Sequence, residues 1–89
     1  MQSLHKRAPT KAERRHIERV KDTSCVICDA PPPSECHEIE QGQWFTSIAL
    51  CPECHRGPLG WHGTKVLWRI GKHTELSALN ETLRRILSD

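Results

Sequence analysis

The 89-residue chain has no tyrosine, one phenylalanine, one methionine and only 36% hydrophobic residues. A chain of this length buries roughly 60–65% of the surface it exposes when unfolded, so a core this poor in large side chains is marginal by itself. No apolar run approaches the ~18 residues of a membrane span, and no membrane partner is expected. No apolar leader precedes the first charges, so a cytoplasmic location is expected. Internal repeats and low-complexity tracts are also missing, which excludes solenoids and fibrous arrays. What the chain does have is five cysteines and six histidines. In so small a domain, a disulfide or a metal ion is the usual substitute for apolar mass.

Four of the cysteines form two CxxC pairs, Cys25-Val26-Ile27-Cys28 and Cys51-Pro52-Glu53-Cys54, separated by twenty-two residues. An odd cysteine count without a leader argues against a secreted disulfide framework. A redox CxxC usually comes singly, beside a βαβ unit that this chain is too short to hold. Two pairs at this spacing fit a tetrahedral structural zinc site on Cys25, Cys28, Cys51 and Cys54, each pair gripping the ion from a tight turn. Cys36 is left over, and a half-buried strand position accounts for it.

The net charge of +2 hides an uneven distribution. Residues 1–21 hold seven Lys/Arg against Glu13 and Glu18, a net of +5, while residues 22–89 hold six against nine acids, a net of −3. Residues 1–9 read as a basic flexible tail, and residues 10–89 as a single zinc-binding domain. Lys6, Arg7, Lys11, Arg14, Arg15 and Arg19 cluster upstream of the first CxxC and are candidates for phosphate contacts to DNA without base specificity. A plain solvated helix face is the alternative.

Thr10, with Glu13 three residues on, predicts a capped helix to about Asp22. Pro31-Pro32-Pro33 predicts a stiff extended spacer. Residues 35–40 and 44–50 read as two short strands joined by a turn at Gln41-Gly42-Gln43. Cys51 to Arg56 forms the second knuckle, followed by the breaker Gly57-Pro58-Leu59-Gly60. A helix is predicted from about His62 to Ile70, ending at Gly71. Thr74 caps a last helix with Leu76, Leu79, Leu83, Ile86 and Leu87 at helical spacing. Trp44 and Trp68 are expected in the core and Trp61 beneath His62, with base stacking as the lesser alternative for Trp44.

A knuckle, a hairpin, a second knuckle and a helix is the order of a treble-clef zinc finger. Such fingers serve as binding modules and as HNH (ββα-metal) endonucleases. The enzymes need a metal ligand and a general base on the first strand and another ligand after the second knuckle. His37 stands at the first place, in Glu35-Cys36-His37-Glu38-Ile39, and His62 at the second, in Gly60-Trp61-His62-Gly63. His55, directly after Cys54, either orients a phosphate or hydrogen-bonds within the knuckle.

The run Pro9-Thr10-Lys11-Ala12-Glu13-Arg14-Arg15-His16, leading through Arg19-Val20 into the first CxxC, resembles the core of phage-encoded recombination-enhancement nucleases, the RecA-dependent HNH family. The resemblance continues through His37-Glu38-Ile39-Glu40-Gln41-Gly42-Gln43, Leu50-Cys51-Pro52-Glu53-Cys54-His55 and Trp61-His62-Gly63, with Lys65 and Trp68, and covers residues 9–88. It implies a metal-dependent nuclease that cuts DNA in a bacterial host cell, in some members only where a recombinase filament presents the substrate. Two departures stand out. The first strand has His37-Glu38-Ile39 where most HNH strands have His-His-Ile, and no Asn precedes Asn80, Thr46 standing where one often falls. Strict register makes His37 a metal ligand and Glu38 the base, whereas a second register makes His37 the base, with the ion on His62 and Glu38. A carboxylate of ordinary pKa near 4.3 is a weak base at neutral pH.

These readings together give a small α+β, treble-clef, zinc-stabilised HNH-like domain with flanking helices. The expected chemistry is hydrolysis of DNA phosphodiester bonds with Mg²⁺ or Mn²⁺, through His37, Glu38, His55 and His62, apart from the structural zinc. The rival is a zinc-containing module that binds nucleic acid or a recombination partner without cutting. A third reading is a protein-interaction finger using the last helix as a dimer face.

Overall fold

The first element forms where the capping residues require it. In the computed structural model, which describes residues 8–88, the backbone N–H of Glu13 donates to Thr10 Oγ1 at 3.2 Å and that of Thr10 donates to Glu13 Oε1 at 2.7 Å. This reciprocal cap opens α1, Lys11–Lys21. Of its apolar stripe only Val20 is buried; Ile17 is half-buried and Ala12 exposed. Lys6 and Arg7, and most of the expected basic tail, lie outside the described residues.

After α1 the chain makes the first knuckle. Asp29 adopts a left-handed conformation (φ 63°), and its N–H donates to Cys25 O at 2.8 Å. Asp tolerates this region better than most residues because its short polar side chain can bond locally. Three exposed prolines follow, and the Ser34 N–H then donates to Lys21 O at 2.8 Å, returning the chain to the end of α1.

Strands β1 (Glu35–Glu38) and β2 (Ser47–Leu50) pair antiparallel, with His37 opposite Ile48. Both are shorter than the sequence predicts. Gly42 takes φ 89°, and Trp44–Thr46 winds into a single 3-10 turn that buries Trp44 instead of extending the second strand. All four β2 residues are buried, and the outer edge of the strand is satisfied at Ala49. Its N–H donates to Thr82 Oγ1 (3.2 Å), and its carbonyl accepts from Val26 N–H (3.1 Å). A buried strand edge left unpaired would be costly.

Helix α2 (Pro52–Arg56) carries the second knuckle, α3 spans Val66–Ile70 and α4 spans Glu75–Leu87. The third helix begins four residues later than the predicted start at His62. Residues 61–64 form a turn, and Lys65 (φ 65°) is left-handed, which interrupts helical winding before Val66. Helix α4 is capped at Thr74 as predicted, Ser77 N–H donating to Thr74 Oγ1 at 3.0 Å.

Val20, Cys25, Val26, Ile48, Leu50, Cys54, Trp68 and Ala78 form the core, with the hairpin at its centre. Trp44 and Trp68 are buried, matching the expectation for both. Arg85 fastens α4 to the first knuckle, donating to Ser24 O (3.3 Å) and Asp29 Oδ1 (2.9 Å). The architecture is small α+β. No helix among the described residues is long and apolar enough to cross a membrane.

Candidate metal centres

The two CxxC pairs meet. One sulfur from each of Cys25, Cys28, Cys51 and Cys54 lies within 4.8 Å of every other. Cys28 Sγ and Cys51 Sγ are 3.6 Å apart, close to the edge of about 3.8 Å of a tetrahedron with Zn–S bonds of about 2.3 Å. The knuckles aim their donors through local backbone geometry. Cys51 is the N-cap of α2, and its Sγ accepts from Cys54 N–H at 3.4 Å.

Burial opposes ionisation of Cys25, but hydrogen bonds with the backbone of Cys51, Cys28 and Ile27 outweigh it and hold the thiol below its ordinary value. Burial pushes the Cys51 thiol up to about 11, and Cys54 is driven up by burial and by the neighbouring Cys25. Four sulfurs this close cannot all ionise against one another without a cation between them. The donor set, the distances and the tight turns fit a structural zinc ion. Cys36 lies outside this group on β1 and is half-buried.

A second cluster gathers His37 from β1, His55 from α2 and His62 from the turn after it. One nitrogen of each lies within 4.8 Å of the others. The backbone explains the convergence. Cys54 and His55 are consecutive, so a single turn of α2 contributes a thiol to one cluster and an imidazole to the other. The following loop folds back onto α2, with Trp61 N–H donating to Cys54 O and His62 N–H to His55 O, both at 2.9 Å. That return needs glycine. A Cβ on Gly60 would sit 2.4 Å from Glu53 O, and one on Gly63 would sit 2.3 Å from Pro58 O. Trp61 packs on Trp68 (4.7 Å between centroids) and lies 6.2 Å from the His37 ring, so it flanks the cluster on the His37 side.

The rings are also fixed from outside. His37 Nε2 is 2.8 Å from Glu75 Oε2, on the first residue of α4, and His55 Nδ1 is 2.8 Å from Glu35 Oε1 on β1. His37 Nδ1 and His55 Nε2 face each other at 3.2 Å. Arg56 forks onto the Glu35 carboxylate with contacts of 2.7 to 3.0 Å. Hydrogen bonding from Arg56, helped by His55, holds that carboxyl below its ordinary range against the opposing effect of burial. His37 is buried and His62 exposed; burial lowers the His62 pKa, and the neighbouring His55 and His37 add to the shift.

The cluster opens onto a cleft of about 280 Å³ lined by Cys36, His37, Glu38, Gln41, His55 and His62. A larger groove of about 620 Å³ runs along α4, but its lining has no acid, base or metal donor. Glu38 borders the cleft, and its Oε1 accepts from Gly42 N–H at 2.7 Å, securing the turn. Lys11, Arg14, Arg15 and Arg19 are exposed along α1.

His37, His55 and His62 are thus brought together, while Glu38 stands at the rim. Glu35 and Glu75 enter as ring partners that sequence reading did not single out. Glu35 stands two residues before His37, a spacing that puts both on one side of a strand. Glu75 has no sequence signal, since it reaches His37 across 38 positions. The expected Mg²⁺ or Mn²⁺ prefers oxygen donors, so three imidazoles depart from what those ions need. No family model matches the chain, and searches of curated proteins and of solved structures returned no match.

Proposed function

We propose that the protein is a metal-dependent DNA endonuclease of the HNH (ββα-metal) type, built on a treble-clef scaffold around a structural zinc. The observation that supports this most is the convergence of His37, His55 and His62 along a solvent-open cleft, next to a separate four-thiol cluster. A divalent cation held by His37, His55 and His62 would supply Lewis-acid stabilisation of charge on a scissile phosphate. The chain's own residues do the rest. His37 and His55, braced by carboxylates, provide rigid positions, and exposed His62 meets the substrate at the mouth. Lys65, held 4.7 Å over the Trp61 ring, adds positive charge beside that mouth. Lys11, Arg14, Arg15 and Arg19 on α1 offer salt-dependent phosphate contacts.

One observation favours the rival, a binding module without cleavage. Both His37 nitrogens are engaged and Glu38 is tied to Gly42, so neither candidate base is disengaged. The deciding experiment incubates supercoiled plasmid and single-stranded DNA with the wild type or with His62→Ala, whose exposed position spares the fold. Reactions carry Zn²⁺, Mn²⁺ or Mg²⁺, with and without a recombinase filament. Nicking by the wild type that His62→Ala abolishes supports the nuclease. Equal DNA binding by both proteins, with no cleavage under any condition, establishes the binding module instead.

A further inference from the structure

The hydrogen bonds around the histidine cluster select a specific kind of ion. An ionised carboxylate only accepts hydrogen bonds. The 2.8 Å contact of Glu75 Oε2 therefore requires the proton of His37 on Nε2, and the 2.8 Å contact of Glu35 Oε1 requires that of His55 on Nδ1. In neutral rings the two remaining nitrogens, His37 Nδ1 and His55 Nε2, then both carry lone pairs, and these point at each other across 3.2 Å. Two facing lone pairs repel unless a cation lies between them.

A shared proton would satisfy two nitrogens, but three converge. His62 brings a third within 4.8 Å, its ring 5.3 Å from that of His37 and 5.0 Å from that of His55. Ion–nitrogen bonds of about 2.0–2.1 Å in a tetrahedron set nitrogens about 3.3–3.4 Å apart, close to the observed 3.2 Å. The open cleft leaves the fourth position to solvent, the pattern of a reactive rather than a closed structural site.

We propose that His37 Nδ1, His55 Nε2 and His62 form a second metal site that takes an imidazole-preferring ion of the Zn²⁺ class and discriminates against Mg²⁺, with Glu75 and Glu35 as the positioning residues that fix the two ring tautomers. Imidazole suits zinc, nickel, copper and iron, whereas Mg²⁺ demands oxygen ligands and retains its waters. Carboxylates behind ligating histidines orient the rings and raise their basicity. This rests on the ion-binding half of the function proposed above and not on DNA cleavage. Its test measures binding, so a protein that binds the ion but does not cut DNA refutes only the nuclease.

The experiment uses the full chain with its thiol-bound zinc retained. Zn²⁺ and Mg²⁺ are titrated separately by calorimetry, and histidine nitrogen shifts are read by NMR. A second equivalent of Zn²⁺ should bind, undisturbed by millimolar Mg²⁺. Glu75→Gln and Glu35→Gln should each weaken that second equivalent about 10–100-fold and blur the Nε2–H form of His37 or the Nδ1–H form of His55. His62→Ala should weaken it at least as much, and its exposure keeps the test valid if a glutamate variant fails to fold. Absence of a second zinc equivalent, Mg²⁺ binding as tight as Zn²⁺, or His62→Ala binding like the wild type would each overturn the proposal.

Discussion

Cys28 gives the cleanest measure of the thiol-bound ion, because among the four cysteines of its cluster it alone is exposed. Cys25, Cys51 and Cys54 are buried, so removing any of them also removes packing. If no ion is held, Cys28→Ala is an ordinary surface change, expected within about 0.5 kcal/mol of wild type. If four thiolates hold zinc, the relevant energy is the binding of the ion, about 10–16 kcal/mol in small zinc folds. Divided evenly, one ligand accounts for about 2.5–4 kcal/mol. A domain of 89 residues has a total stability of about 4–13 kcal/mol, so the substitution removes a large share of it. At about 4–8 °C per kcal/mol for a chain of this size, the expected fall in melting temperature is about 10–30 °C. The assay is thermal unfolding with zinc quantified in the same samples, repeated with a strong chelator. Chelator should lower the wild type towards the variant and move the variant little. Equal melting temperatures for Cys28→Ala and wild type, with zinc content unchanged, would refute the reasoning.

Three further outcomes follow from the same structure. Thr82→Val keeps the side-chain shape but leaves the buried Ala49 N–H without its acceptor, and denaturant unfolding should show a loss of about 1–3 kcal/mol, while Thr82→Ser retains that bond. Gly63→Ala places a carbon 2.3 Å from Pro58 O and should cost about 1–3 kcal/mol, with weaker binding of zinc at the histidine cluster because His62 rides on that turn; unchanged affinity would count against the turn as its support. Burial, with Arg19 nearby, lowers the pKa of His16, whose Nε2 is buried without a partner among the described residues. The unfolded chain then binds more protons than the folded one, so the His16 contribution is intact above the ordinary value of 6.5 and is lost as pH falls from there through the lowered value. Comparing unfolding of wild type and His16→Phe between pH 7 and pH 5 should show a shallower decline in the variant.

The helix starts at Thr10 and Thr74 were legible because capping is local: the hydroxyl and its partner stand three residues apart in sequence and in space. The four-cysteine cluster was legible for a related reason, since each CxxC is a local turn and the two pairs have only one another to complete a tetrahedron. The gathering of His37, His55 and His62 followed from the order of elements more than from any spacing. What could not be read depends on long-range packing. The second strand begins at Ser47 because Trp44 turns inward, and the third helix begins at Val66 because the loop must first return to α2. Glu75 meets His37 only because α4 crosses the hairpin, and no local rule anticipates such a contact.

The hairpin lies wholly between the two knuckles, with β1 and β2 inside the 23-position span from Cys28 to Cys51. An unfolded chain that keeps its ion is therefore already a ring, and the strands need only meet within it. Closing such a loop lowers the entropy of the disordered chain by the equivalent of about 3 kcal/mol, and it shortens the search for the sheet's non-local pairing. If the ion binds before the sheet forms, free zinc would set the speed of folding as well as its extent. The expected order would then be the ion first, the hairpin within the ring second, and α1 and α4, which lie outside the ring, last; a refolding rate independent of free zinc would refute it.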